Sequence, residues 1–196
     1  EEDASNLKLY RKAVLAGRSM DGLLLRRGSM DLRLLQVCAE INEYSPLGDE
    51  LEHALAPLQD TEDPCRISCV IDNAFFARAK AKARQGRSAS LAQLLEQYGR
   101  GRNSLTAWRL NQLGLDRKDY AWAFLPTEEP AQPLDETLSP KELSEQVNAA
   151  MDGALEQAGW GDPMGVIAGY FFQKKLESKT LGQMLCEKKI EGGKAK

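Results

Sequence analysis

The residues of this sequence whose types and spacing could do chemistry lie in one basic segment, residues 78–109. It carries eight Lys or Arg side chains and one acid, Glu96, for a net charge of +7. By contrast, residues 34–77 carry one Arg and nine acids, and residues 110–165 carry three Lys or Arg and eleven acids. A cluster of cations of this kind can bind phosphate groups or an acidic partner. Alternatively, the acidic segments fold against the basic one and neutralise it, and charge alone leaves both interpretations open.

Residues 90–115 of this region have the spacing of two short amphipathic helices joined at a glycine. Gly99 follows Leu95 by four residues, where a left-handed turn lets two helices cross closely. The apolar positions that would pack the two helices together are Leu91, Leu94, Leu95, Leu105 and Trp108. This pattern resembles the helix-turn-helix DNA-binding unit of repressors and ParB-like partition proteins. An ordinary helical hairpin with a basic face has the same pattern and remains the alternative.

The resemblance implies that the second helix presents its polar residues to the major groove of duplex DNA. Side chains of Arg and Asn suit the edges of guanine and adenine. The residues expected at the bases are Arg102, Asn103, Ser104, Thr106 and Arg109. Cations that would neutralise phosphates precede them, namely Arg78, Lys80, Lys82, Arg84 and Arg87. Arg100 follows the turn glycine, where the family has a buried apolar residue, and completes the predicted nucleic-acid-binding set.

Signatures of enzymes are absent from the sequence. It contains no G-x-S-x-G, H-E-x-x-H, G-x-x-x-x-G-K-[ST] or G-x-G-x-x-G pattern. The single histidine, His53, follows an acid in an acidic helix and is expected at the surface. The four cysteines have no paired zinc spacing, and we expect them to be buried, reduced thiols: Cys38, Cys65, Cys69 and Cys186. We therefore predict no catalytic residue, no metal and no cofactor.

The elements that must position these residues are predicted to be helical, because the apolar residues recur with a period near 3.6. A capping box, Ser139 to Glu142, marks the clearest helix start, and Gly17 marks a helix end. Two similar tripeptides, Ser19-Met20-Asp21 and Ser29-Met30-Asp31, predict two further helix starts with serine as the N-cap, and Gly28 separates these two helices. The predicted helices cover residues 5–16, 30–42, 49–57, 66–85, 89–98, 103–113, 116–124, 139–157, 163–175 and 178–189.

Three prolines and four acids in residues 126–138 predict a linker between two helical parts. We therefore expect a helical body over residues 1–125, a small helical C-terminal subdomain over residues 139–190 and a loose tail over residues 191–196. The fold class predicted from these elements is all-α, a multi-helix orthogonal bundle with a helix-turn-helix-like hairpin.

The C-terminal subdomain is rich in aromatic residues, and two interpretations of them stay open. The rings dock a helix on the core, or they form a patch for self-association or for another protein; they belong to Trp160, Tyr170, Phe171 and Phe172. Since no apolar run is long enough to span a membrane, we expect a cytoplasmic protein. The predicted function is nucleic-acid binding through residues 78–115, and the alternative is a helical adaptor, chaperone or assembly subunit that binds another protein.

Overall fold

The computed structural model describes residues 1–19, 23–131, 137–157, 162–174 and 177–178. These residues form α-helices joined by turns and short 3-10 helices, without a strand among them, so the predicted all-α class is confirmed. None of the described helices is long and apolar enough to cross a membrane. The α-helices are α1 (Glu2–Ala16), α2 (Leu32–Ile41), α3 (Asp49–Leu55), α4 (Pro64–Gln85), α5 (Ala89–Gln112), α6 (Pro140–Gln157) and α7 (residues 163–174). The 3-10 helices are Ser45–Leu47, Ala56–Leu58 and Ala121–Ala123.

Local capping signals place several helix ends where the sequence predicts them. Gly17 adopts the left-handed conformation, with φ 59°, and ends α1. The capping box that opens α6 is formed in both directions. The Ser139 N–H donates to the Glu142 carboxylate at 2.8 Å, and the Glu142 N–H donates to Ser139 Oγ at 3.3 Å. The structure confirms these predicted ends. They could be predicted because each depends on neighbouring residues alone.

The segment before α2 differs from the prediction. The Asp31 carboxylate, rather than Ser29, accepts the hydrogen bond that caps α2. Ser29 instead donates to the buried Asp3 carboxylate of α1, from Oγ at 2.7 Å and from its N–H at 3.0 Å. No helix forms over residues 23–27, because the buried Asn6 side chain holds the Leu25 N–H and carbonyl, both at 2.8 Å. The helix predicted to start at Ser19 is therefore wrong over these residues, and residues 20–22 lie outside those described.

The N-terminal helices enclose one large apolar cluster. α1 packs against α2 and α4, and α3 packs against α4. The buried members of the cluster are Ala4, Leu7, Leu35, Cys38, Ala39, Tyr44, Leu47, Leu51, Leu55, Leu58, Ile67, Val70, Ile71 and Ala74. Burial raises the pKa of Tyr44 to about 12. Removal of these apolar side chains from water is the main stabilising contribution to this part of the fold.

Beyond this cluster, α5 packs between α4 and α6. Among the described residues, the apolar cluster there is small and consists of Leu94 and Ala154, with Ala168 of α7 beside them. Three rings continue the contact between helices: Phe76 and Tyr98 have centroids 6.4 Å apart, and Tyr98 and Phe172 have centroids 5.9 Å apart. The helix predicted over residues 116–124 is not an α-helix, since turns and the 3-10 helix Ala121–Ala123 occupy that region.

The thiols and the single histidine are only partly as predicted. Cys38 is buried, whereas Cys65 is exposed and Cys69 is half-buried, so the prediction of a buried thiol is wrong for Cys65. Burial raises the pKa of the Cys69 thiol. His53 is exposed on α3, as predicted. Some predictions lie outside the described residues: those for Trp160, Cys186, residues 132–136 of the linker, all but the first residue of the helix at 178–189, and the tail at 191–196.

Candidate functional site: the basic segment and the C-terminal helix

The turn predicted at Gly99 and Gly101 does not form. α5 runs without interruption from Ala89 to Gln112 and includes both glycines, so the prediction of two helices at 89–98 and 103–113 is wrong. The glycines serve close packing instead. A Cβ at Gly99 would lie 2.6 Å from Thr127 Cγ2 and 2.8 Å from Phe76 Cζ, and one at Gly101 would lie 2.6 Å from Val147 Cγ1. Positions two residues apart point about 200° apart around a helix, so the pair lets α5 approach α4 on one side and α6 on the other.

The central cations of the basic segment are neutralised by acids of the same chain. Lys80 is buried and pairs with Glu96 of α5 at 2.5 Å. Arg84 pairs with Glu128, and the Arg100 guanidinium lies 2.6 Å from the Glu129 carboxylate. The acids at 128 and 129 belong to the predicted linker. Of the two interpretations of the charge pattern, the structure shows neutralisation for these three cations.

We call residues 125–129 the acidic strap, because they lie against α4 and α5, with a bend at residues 128 and 129, and carry two of these acids. Asn103, which is 3% exposed, holds the strap. Its amide N–H donates to the Leu125 carbonyl at 2.9 Å and to Thr127 Oγ1 at 3.1 Å, and its oxygen accepts from the Leu125 N–H at 2.7 Å. The second oxygen of Glu96 accepts from the N–H groups of Glu128 and Glu129, at 2.8 and 3.2 Å. The strap is thus held through its main chain as well as through its acids.

Other residues predicted to contact bases or phosphates also contact the protein itself. Ser104 is buried, and its hydroxyl donates to the Arg100 carbonyl at 3.0 Å. The Thr106 hydroxyl donates to the Arg102 carbonyl at 3.0 Å. Arg78 is half-buried, and its Nη1 is enclosed without a hydrogen-bond partner among the described residues. These side chains are not presented to solvent on one surface.

Four of the predicted cations are exposed and form no ion pair within the described residues: Lys82, Arg87, Arg102 and Arg109. Arg102 and Arg109 are seven residues apart on α5 and therefore lie on the same side of that helix. Arg87 lies in the turn between α4 and α5, with φ 55°. The open part of the basic segment is therefore smaller than the eleven residues that the sequence predicts.

The helix α7 has two unlike faces. Its small and aromatic inward residues pack on α5 and α6: Gly165 is buried, Ala168 contacts the Leu94–Ala154 cluster, and Phe172 contacts Tyr98. Its N-terminus is anchored by Asp162, whose carboxylate accepts from Ser88 Oγ at 2.5 Å. Of the C-terminal aromatics, Phe172 thus docks the helix on the rest of the protein, whereas Tyr170 and Phe171 are exposed.

The opposite side of α7 exposes large apolar side chains, which we call the C-terminal apolar face. Each of its members is more than half exposed: Met164 53%, Val166 52%, Ile167 51%, Tyr170 57% and Phe171 67%. At 100° per residue they fall on one arc of about 160°. Lys174 lies within the same arc at the C-terminal end of the described helix, with its ammonium 5.7 Å from the Tyr170 ring centroid. The sequence singled out Tyr170 and Phe171, and helical spacing extends the face to the three aliphatic residues.

Comparison of the chain with known protein families, with curated proteins and with solved structures gives no match.

Proposed function

We propose that this protein is a helical adaptor or assembly subunit that binds another polypeptide through the C-terminal apolar face. The observation that carries the proposal is the orientation of α7. A surface helix ordinarily turns its large apolar residues inward, whereas α7 docks through Gly165 and Ala168 and leaves Ile167 and Phe171 outside. Exposed apolar surface that is continuous along a helix is typical of a protein-binding site.

Burial of this face would provide a substantial free energy of association. Full burial of one Ile, Met or Phe side chain is worth about 1.5–3 kcal/mol. Phe171 and Tyr170, whose rings are 5.9 Å apart in an edge-on arrangement, add the large rigid contact area that dominates protein interfaces. A partner that presents an apolar groove or helix of its own would gain this energy without any change in the fold described above.

The neutralised basic segment supports the same proposal. Lys80, Arg84 and Arg100 already have acidic partners within the chain. Binding of a phosphate backbone at these side chains would require those pairs to be broken and the strap to move. Protein binding at α7 requires neither.

The test is affinity capture of the chain from its source cells, with the captured protein and nucleic acid both quantified. We expect a stoichiometric protein partner that is lost from Ile167→Asp/Phe171→Asp. The matched control is Gln173→Asp, which adds a negative charge at an exposed position of the same helix outside the apolar arc. A partner retained by the double variant, or captured nucleic acid in place of a protein, would contradict the proposal.

Nucleic-acid binding is the second candidate function, and it is favoured by the four exposed cations that form no ion pair with a described residue. We infer that such binding would be electrostatic, since Asn103 and Ser104 are engaged inside the protein. It predicts binding to duplex DNA at low salt that weakens steeply as salt is added. The variant Arg102→Ala/Arg109→Ala should reduce this binding. Undetectable binding at low salt, or binding unchanged in that variant, would exclude this candidate.

A further inference from the structure

The contacts of the acidic strap resemble those of a bound peptide. In peptide recognition, hydrogen bonds to the main chain give affinity, and contacts with individual side chains provide specificity. Here Asn103 pairs with both main-chain groups of Leu125, and Glu96 accepts from the N–H groups of Glu128 and Glu129. These contacts hold the main chain of the strap, and the consecutive N–H groups of Glu128 and Glu129 reach the same carboxylate oxygen because the chain bends there.

The side-chain contacts of the strap select for acids. Arg84 contacts the Glu128 carboxylate and Arg100 contacts the Glu129 carboxylate, so two consecutive acids each meet an arginine. Arginine–carboxylate pairs of this kind are among the stronger hydrogen-bonded contacts in proteins. The Nε of Arg100 is enclosed without a partner among the described residues, so this guanidinium keeps an unused donor beside the strap.

The groove floor lets the strap lie close to α5. Gly99 lies under Thr127, and an added Cβ would lie 2.6 Å from its methyl carbon. Lys80 reaches the Pro126 carbonyl at 3.2 Å from the same floor while it pairs with Glu96. The strap therefore lies close to α5, beside one lysine and two arginines.

We propose that the groove between α4 and α5 is a recognition site for an acidic segment of a partner protein, and that the strap fills this site in cis. The ligand class is set by the strap itself: a segment with two consecutive acids at the positions of Glu128 and Glu129. The partner segment binds by displacing the strap, so the strap limits access to the site. This inference is independent of the C-terminal apolar face, because α7 contributes none of the contacts described.

Competition with a tethered segment determines how the test must be designed. A segment joined by a short connection competes at an effective concentration on the order of 1 mM, so a free peptide binds weakly to the unaltered chain. The variant Glu128→Lys/Glu129→Lys replaces both attractions with like-charge repulsion against Arg84 and Arg100. It should release the strap and open the groove. Circular dichroism and the thermal midpoint establish that this variant keeps its helical fold.

The probe is a fluorescent peptide with the sequence of residues 123–130, AFLPTEEP, and its anisotropy is measured with each protein. We expect the strap-reversed variant to bind it at least about tenfold more tightly than the unaltered chain. The matched peptide AFLPTQQP should bind at least about tenfold more weakly to that variant, as should AFLPTEEP when Arg100→Ala is added.

Three results would overturn the proposal. They are a folded strap-reversed variant that does not bind the peptide, equal binding of the acidic and amide peptides, and binding that is unaffected by Arg100→Ala. If the strap-reversed variant does not fold, hydrogen exchange of the unaltered chain with excess peptide decides the question. The proposal predicts faster exchange at the N–H groups of Leu125, Glu128 and Glu129, and unchanged exchange there would contradict it.

Discussion

In the N-terminal helices, Leu35, Leu51 and Ile67 are fully buried in a continuous apolar cluster, whereas α5 to α7 meet around a cluster of Leu94 and Ala154. Leu143 and Met151 of α6 are also buried in this second region, and directional contacts add to the apolar ones. They are the ion pairs of the strap, the hydrogen bonds of Asn103 and the anchor from Ser88 to Asp162. Apolar burial is insensitive to salt, while exposed or half-buried ion pairs are screened by it. We infer from this difference that the second region can exchange one set of contacts for another more readily than the N-terminal cluster can.

The largest effect is expected from a cavity in the N-terminal cluster. Leu51→Ala removes a side chain that is 1% exposed, and we expect a loss of about 3 kcal/mol in the free energy of unfolding. Chemical denaturation measures it. Leu113→Ala, at a position that is 70% exposed, serves as the control and should change the same quantity by less than about 0.5 kcal/mol. Equal effects of the two variants would mean that the N-terminal cluster is not the main stabilising contact.

A smaller and more local effect is expected from Asn103→Ala. It leaves the N–H and the carbonyl of Leu125 without their protein partners, which should cost about 2 kcal/mol. Hydrogen exchange should show this loss in residues 125–129 and not in α1 to α3. Asn6→Ala removes the equivalent pair of bonds to Leu25 and should act on residues 23–30 instead. A uniform loss of protection in both variants would show that the two regions unfold as one.

The smallest effect is expected from glycine substitutions in the second region, and its sign is informative. Gly101→Ala gains helix propensity but places a Cβ against Val147, so we expect a net loss of about 1 kcal/mol. Gly153→Ala, in α6 with open space around its added Cβ, should gain about 0.5–1 kcal/mol. Thermal unfolding compares the two. A gain for Gly101→Ala would show that α5 and α6 do not approach closely at that residue.

Local features of this fold could be predicted from the sequence, and features that depend on distant residues could not. Gly17 and the Ser139–Glu142 capping box act within one turn, so their pattern was sufficient. Gly99 and Gly101 suggested a turn because the sequence does not show that Thr127 and Val147 lie against them. A continuous helix with two glycines on opposite sides has the same local pattern as two helices joined by a loose turn.

The candidate site was likewise predictable only in part. The alternation of acidic and basic segments correctly raised neutralisation as one of two interpretations. However, the pairing of Arg84 with Glu128 and of Arg100 with Glu129 joins residues 29 or more positions apart. Asn103 matched the base-contacting position of a recognition helix, while its actual partner, Leu125, lies 22 residues further along the chain. The sequence identifies which side chains are polar, and only the packing of the helices decides what they contact.

Ion pairs and hydrogen bonds close the second region over its own basic segment. Hydrogen exchange at low and at high salt is the most direct test of this closure. We predict that the N–H groups of Leu125, Glu128 and Glu129 exchange faster in high salt, because screening weakens the pairs of Arg84 and Arg100 with the strap. The N–H groups of α1 to α4 that face the N-terminal cluster should keep their protection. Exchange of the strap that is independent of salt, or that rises and falls together with the N-terminal helices, would contradict the account.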